Sequence, residues 1–190
     1  TDALVWDGHV PAQPGLTPSE LAGRAHGLAA WLCLHTPTHG LAPLLLALEH
    51  GLMGLSATSA AAYTALALLY SGRQAFTIPA LLTLVQALVG LGEGLTPSGD
   101  DFLVGLLAVL HMTGFLPCSA GASVHEQFYQ CVRLGTTQLS GEFLRCAFAG
   151  YFAEPLVMLV RALWAPGADA WPVHAATLAA VGHSSGVDAM

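Results

Sequence analysis

Apolar positions recur along this chain with the period of an α-helix rather than that of a β-strand. They lie three and four residues apart within successive segments, and glycines, prolines or hydroxyl residues separate the segments. Thr17, Pro18 and Glu20 form a capping box with proline in the first turn, which predicts a helix ending at about His35. Further helices are predicted at residues 41–51, 59–70, 79–91, 98–113, 124–139, 142–152, 155–164 and 172–181.

Little β structure is expected. Residues 3–6 suit one short N-terminal strand, and the Pro- and Gly-rich residues 8–15 suit a loop. Residues 81–91 and 102–110 are apolar on nearly all sides, which predicts two central helices. No repeat or linker divides the chain. The predicted fold class is therefore mainly α, a compact multi-helix bundle that forms a single domain over residues 1–190.

Composition and charge exclude several functions. Hydrophobic residues make up 54% of the chain and charged residues 9%, so we expect an apolar surface covered by another subunit, by another domain or by a second copy. The net charge is -7 and all five basic residues are arginines, scattered along the chain, which argues against nucleic-acid binding. The absence of lysine excludes a P-loop lysine, a Schiff-base lysine and pyridoxal phosphate attachment.

Localisation is predicted to be cytoplasmic. The four cysteines form no C-x-x-C pair, and the first six residues lack the basic region of a signal peptide. Residues 51–72 and 74–92 are long enough to cross a membrane, and a small membrane protein is the alternative to be weighed. However, they contain Gln86 and Pro79 and lack flanking aromatic belts, so no membrane span is expected.

The most unusual segment is residues 90–101, which packs four glycines, two hydroxyls and three acids between two apolar helices. Thr96 or Ser98 is predicted to cap the second helix, whose positive end would then face this turn. A capped connection would explain the hydroxyls and one acid, but not the glycines, Glu93 and the second aspartate. We therefore expect a site for a small anion such as phosphate, with N–H and hydroxyl donors from Gly92, Gly94, Thr96, Ser98 and Gly99.

The paired acids raise the question of a metal. Carboxylates repel an anion unless they cap the helix, face away or hold a cation, and Asp100 and Asp101 would suit Mg²⁺ bridging to phosphate oxygens. Adjacent helical residues point about 100° apart, however, and seldom ligate one ion together. A magnesium requirement is therefore left open, and no other cofactor is predicted.

Two later segments are expected at the same pocket. In residues 182–188, Ser184 or Ser185 would cap a second helix facing the first, with His183 as the titratable group; the alternative is a plain turn with an exposed histidine. Thr136 and Thr137 interrupt a helical pattern and would line the pocket. Nearby, Arg133 or Arg145 would bind a carboxylate or phosphate, or else form surface ion pairs.

These three segments, in this order, resemble the AllH-type subunit of oxamate carbamoyltransferase. The resemblance is carried by residues 92–103, by Thr136-Thr137 and by residues 182–186 with Asp188. It implies an enzyme of ureide catabolism, of the allantoin type, that exchanges a carbamoyl group between oxalurate and phosphate together with other subunits. Members usually carry an additional N-terminal β-containing region, which leaves open that this chain is the C-terminal part of a longer member.

The resemblance places catalytic roles on His183, Asp100 and Asp101. Histidine is the first candidate for proton transfer to the leaving nitrogen, because its ordinary pKa lies near neutrality. The remaining donors, including Thr136, Thr137, Ser184 and Ser185, would bind phosphate and the ureide carboxylate. The alternative is a non-catalytic subunit in which the same loop senses an anion or holds a partner.

Overall fold

A computed structural model describes residues 8–10, 16–36, 38–45, 55–71, 76–116, 121–165 and 170–190. Its helices are α1 (Pro18–His35), α2 (Ala57–Ser71), α3 (Ile78–Leu88), α4 (Ser98–Met112), α5 (Ala122–Gly135), α6 (Gln138–Phe148), α7 (Glu154–Trp164), α8 (Trp171–Ala179) and α9 (Ser185–Asp188). Residues 43–45 are also helical and residues 41–42 form a turn; residues 46–51 of the helix predicted at 41–51 lie outside the described residues. The mainly α, compact fold class is confirmed.

Local signals account for several helix ends. Thr17 and Glu20 form the predicted capping box at the start of α1, with the Thr17 N–H donating to the Glu20 carboxylate over 2.9 Å. Within the described ranges the β interaction is a single antiparallel bridge between His9 and Tyr151. The strand predicted at residues 3–6 lies outside those ranges.

Helix α4 is the centre of the bundle. It contacts α3, α6, α7 and α9, and Leu103, Leu107 and Ala108 on it are completely buried. The prediction of a central helix at 102–110 is thus confirmed. The same prediction for 81–91 is wrong, because α3 buries only one side and exposes Thr83 and Gln86 on the other. Leucine and alanine on an exposed side make the sequence look uniformly apolar.

The break between α5 and α6 corrects two predicted boundaries. Helices were predicted at 124–139 and 142–152, whereas α5 ends at Gly135 and α6 already begins at Gln138. Thr136 is extended, and the Thr137 hydroxyl accepts from the Ser140 N–H over 3.1 Å, which caps α6. The vicinal threonines are therefore the helix break itself.

Close backbone approaches hold α9 against the bundle. A Cβ added at Gly105 of α4 would lie 2.0 Å from the Ala189 carbonyl oxygen, and one at Gly186 would lie 1.7 Å from that of Leu178 in α8. Only glycine permits these approaches. They place the segment that contains Ser185 beside the start of α4.

The helices described within the two long apolar segments, residues 51–72 and 74–92, are short. Helix α2 has 15 residues and α3 has 11, whereas a span needs about 20. Across the described ranges, the structure contains no helix with the length and apolarity needed to cross a bilayer.

Candidate active site

The turn before α4 uses most of its helix-start N–H groups internally. The Gly99 N–H donates to the Leu91 carbonyl oxygen over 2.8 Å, and those of Asp100 and Asp101 donate to the Pro97 carbonyl oxygen. Pro97 occupies the N-cap position without a side-chain cap, so the prediction that Thr96 or Ser98 caps this helix is wrong. The hydroxyls are engaged elsewhere, and the two acids of the first turn supply the negative charge that favours a helix start.

The glycines of the turn differ in their surroundings. Gly92 has φ +122° and packs tightly, because an added Cβ would lie 2.8 Å from the Ser98 nitrogen. Gly94 has φ +92° and faces open space, next to the exposed Glu93. Gly99 is buried, and a Cβ there would lie 2.1 Å from the Leu88 carbonyl oxygen. These glycines shape the turn, and the Gly99 N–H expected to bind an anion is already used.

Asp100 is a buried junction between three segments. Its Oδ1 accepts from the Gly90 N–H over 2.8 Å, and its Oδ2 accepts from the Ser140 hydroxyl over 2.7 Å and from the Thr136 hydroxyl. The side chain has no exposed surface. Thr136 therefore binds a carboxylate of the protein itself, and Asp100 ties the start of α4 to the break between α5 and α6.

Asp101 has a different environment although it is the adjacent residue. It is 8% exposed, and its Oδ2 is buried without any hydrogen-bond partner. Burial raises the pKa of this carboxyl to about 6, against the opposing effect of hydrogen bonding from Ser185 and Thr96; the negative charge of Asp188 raises it further. The hydroxyl oxygens of Thr96 and Ser185 lie 3.0 Å apart beside it. Asp101 thus carries an unused acceptor and titrates near neutrality.

The Asp101 carboxyl lines a cavity of about 510 Å³, and Thr96 and Ser185 line it as well. Among the described residues that form its wall, Asp101 is the only one with a charged side chain. The remaining wall is mostly apolar, with contributions from Val104, Phe143, Phe152, Leu156, Leu178 and Val181. We call this space the Asp101 cavity. It offers one carboxyl, three hydroxyls, with that of Tyr151, and the Cys146 thiol in otherwise apolar surroundings.

Asp188 is a second buried carboxyl. It belongs to the motif at residues 182–188, but no role was predicted for it. It is 3% exposed; its Oδ1 accepts from the Leu41 N–H over 2.5 Å, and its Oδ2 has no partner. Its pKa is raised, mainly by burial and against the hydrogen bond from Leu41. A Cβ at Gly40 would lie 1.9 Å from Oδ1, so the Asp188 carboxyl fits here only because residue 40 is glycine. An acid inside an apolar C-terminal segment was the signal that could have identified it.

The second predicted helix start, at α9, contributes little positive partial charge. Helix α9 has four residues, and Ser184 at its N-cap position makes no side-chain cap bond. Neither Ser184 nor Ser185 acts as the predicted cap, and so short a helix has almost no macrodipole. His183 is exposed, with the centre of its ring 6.1 Å from that of His39. Its neighbour Gly182 lines the Asp101 cavity, but His183 itself does not. The two segments do meet, but through the pair Thr96 and Ser185.

The described arginines are engaged away from the Asp101 cavity. Arg24 donates to three carbonyl oxygens at the end of α7 over 2.7–3.1 Å, and Arg161 donates to the His9 carbonyl oxygen. Arg133 donates to the Gln130 side chain, and Arg145 forms a surface ion pair with Glu142 at 2.7 Å. Among the described residues no three His, Cys, Asp or Glu side chains converge on a possible metal position. The oxygens of Asp100 are occupied by protein donors, so Asp100 and Asp101 do not form a joint ligand pair.

The family model for the oxamate carbamoyltransferase subunit AllH matches residues 88–190 of this chain. The match includes the turn before α4, the break between α5 and α6, and α9, which together surround Asp100 and Asp101. No solved structure matches the chain.

Proposed function

Since this chain belongs to the AllH family of oxamate carbamoyltransferase subunits, we propose that its Asp101 cavity binds the carbamoyl end of the substrate during carbamoyl transfer. The reaction is the exchange of a carbamoyl group between a ureide such as oxalurate and phosphate. The single observation that carries the proposal is the mostly apolar cavity whose described wall has Asp101 as its one charged side chain.

A carbamoyl group complements this cavity chemically. Its NH₂ group supplies two hydrogen-bond donors for the Asp101 carboxylate, the one charged group in the described wall. Thr96 and Ser185 share one hydrogen bond, so one of the two hydroxyls has a hydrogen left that the carbonyl oxygen of the carbamoyl group would accept. Phosphate is a poor fit at the same position, because the wall offers a carboxyl and no cation. This revises the expectation of an anion cradle at the turn before α4.

The proposed reaction needs one proton to move. A phosphate oxygen attacks the carbamoyl carbon, the bond from that carbon to the leaving nitrogen breaks, and oxamate leaves with a new N–H bond. The phosphate hydroxyl loses one proton and the leaving nitrogen gains one, so the reaction releases no net proton. Asp101 accepts it and returns it, since a carboxyl with a pKa of about 6 exchanges protons readily near neutral pH. The apolar wall keeps water from competing with phosphate for the carbamoyl carbon.

Asp100 and His183 take lesser roles in this proposal. Asp100 positions the start of α4 through its three donors and does not contact substrate. His183 is exposed outside the wall of the cavity, so proton transfer is assigned to Asp101. A purely anion-sensing subunit is less compatible with a cavity whose one charged side chain is acidic.

The proposal is tested with the assembled enzyme. Asp101→Asn keeps the shape of the side chain but cannot move a proton, and we expect kcat to fall by about 10²–10⁴-fold. Glu126→Gln is the matched control, because it removes an exposed acid on α5 that lines neither the Asp101 cavity nor its surroundings, and it should retain full activity. Full activity of the assembled Asp101→Asn enzyme would exclude the proposed function.

A further inference from the structure

The Asp101 cavity opens among large apolar side chains that are exposed. Leu139 and Phe143 are 45% and 50% exposed and lie one turn apart on α6, while Tyr151 and Val181 are 51% and 43% exposed. Phe143, Tyr151 and Val181 also line the Asp101 cavity. Exposed apolar groups gathered at a cavity mark a surface that another molecule covers.

Leu95 extends this surface from the turn before α4. It is 70% exposed, and its carbonyl oxygen accepts from the Thr137 hydroxyl over 2.6 Å, which fixes the turn against the start of α6. Leu95 and Leu139 line one shallow surface cleft together with Glu142. We define the site face as Leu95, Leu139, Phe143, Tyr151 and Val181.

The charges around the site face are those of an incomplete active site. The cavity wall carries Asp101 and no arginine, Glu93 is exposed on the turn, and Glu142 in the cleft is already paired with Arg145. The proposed substrates carry a carboxylate and a phosphate, which need cationic groups when they leave water. None of the four described arginines lines the Asp101 cavity: Arg24 and Arg161 donate to backbone carbonyl oxygens, and Arg133 and Arg145 line a separate cavity of about 560 Å³. Arg73 lies outside the described residues.

We infer that the site face is the docking surface for another subunit of the carbamoyltransferase, which closes the Asp101 cavity and contributes an arginine or lysine to it. The inference rests on the proposed function, because the need for a cation follows from the anionic ends of the substrates. An apolar surface bordered by acids complements a partner with apolar and basic side chains. The active site would then be composite, with the carbamoyl end held here and the anionic ends held by the partner.

The test uses the full chain and the other carbamoyltransferase subunits encoded in the same genome, with binding measured by calorimetry. Leu139→Asp and Phe143→Ser should each raise the Kd at least 10-fold, while Leu34→Asp, a matched change at a side chain 78% exposed on α1, should not. Because all three positions are exposed, circular dichroism should show unchanged folding. Equal affinity of both site-face variants and the wild type would overturn the inference, as would loss of self-association instead of subunit binding.

Two further readouts separate this inference from the proposed function. Asp101→Asn should bind the partner subunits with unchanged Kd, since Asp101 lies inside the cavity. Subunit binding should weaken with rising salt, as expected when acidic and basic surfaces meet. A wild-type assembly that forms through the site face but transfers no carbamoyl group would contradict the proposed function alone, while binding through another surface would contradict the inference alone.

Discussion

The hydroxyl oxygens of Thr96 and Ser185 lie 3.0 Å apart although 89 positions separate them in the chain. This contact joins the turn before α4 to the short helix α9 and forms one side of the Asp101 cavity. It depends on the glycines that let α9 approach its neighbours. The site is therefore a product of close helix packing, which leads to predictions for stability as well as activity.

Asp101 should make stability depend on pH in a direction unusual for a carboxyl. Its folded-state pKa, about 6, lies above the ordinary value of 3.8, so its contribution is fully present below about pH 3.8 and is lost as the pH rises through 6. Asp101→Asn, which cannot ionise, should raise the Tm at pH 8 by a few degrees and change it little at about pH 3.5, where the carboxyl is protonated in both states. Thermal denaturation at both pH values measures this. A lower Tm for the variant at pH 8 would show that the ionised carboxyl is stabilised by the fold.

Asp100 should be important for folding rather than for chemistry. Asp100→Ala leaves the Gly90 N–H and two hydroxyls without their acceptor, and we expect a loss of about 3 kcal/mol in the free energy of unfolding. Asp100→Asn should cost less, since the amide oxygen can still accept from Gly90 and the hydroxyls can accept from its NH₂ group. Urea denaturation of both variants gives the comparison. Equal losses would mean that the charge, and not the hydrogen-bond geometry, matters.

The packing of α9 should tolerate no side chain at Gly105. Gly105→Ala would bring a Cβ within 2.0 Å of the Ala189 carbonyl oxygen, so α9 must move, at a cost of about 1–3 kcal/mol. The control is Gly23→Ala in α1, where an added Cβ meets nothing within 4 Å and alanine should stabilise the helix. Chemical denaturation checks both signs. Stability of Gly105→Ala equal to that of the wild type would contradict the close approach of α9.

Sequence patterns predicted the helices better than their ends. The capping box at Thr17 was recognisable because both partners lie within four residues, and the apolar period identified α4 as central. The vicinal threonines were recognised as an interruption, but the ends of α5 and α6 were misplaced because Thr136 donates to Asp100, 36 positions earlier, so no local pattern contains its partner. Short-range rules also favoured Thr96 as a cap, whereas its hydroxyl meets Ser185.

Only the part of the candidate site that depends on local sequence was predictable. The density of polar residues in 90–101 identified Asp100 and Asp101 as a centre, but their different roles depend on which neighbours each meets after folding. The expectation of facing helix dipoles failed because α9 has only four residues. Asp188 received no role because the N–H group that it binds belongs to Leu41, 147 positions earlier in the chain.

The pH dependence of kcat/KM for carbamoyl transfer, measured with the assembled enzyme at saturating phosphate, tests the role of Asp101 most directly. We predict that activity of the wild type rises with pH through about 6, as the carboxyl ionises, and that His183→Asn keeps this inflection. The residual activity of Asp101→Asn should lack it. An inflection that persists in Asp101→Asn and disappears in His183→Asn would contradict the assignment of proton transfer to Asp101.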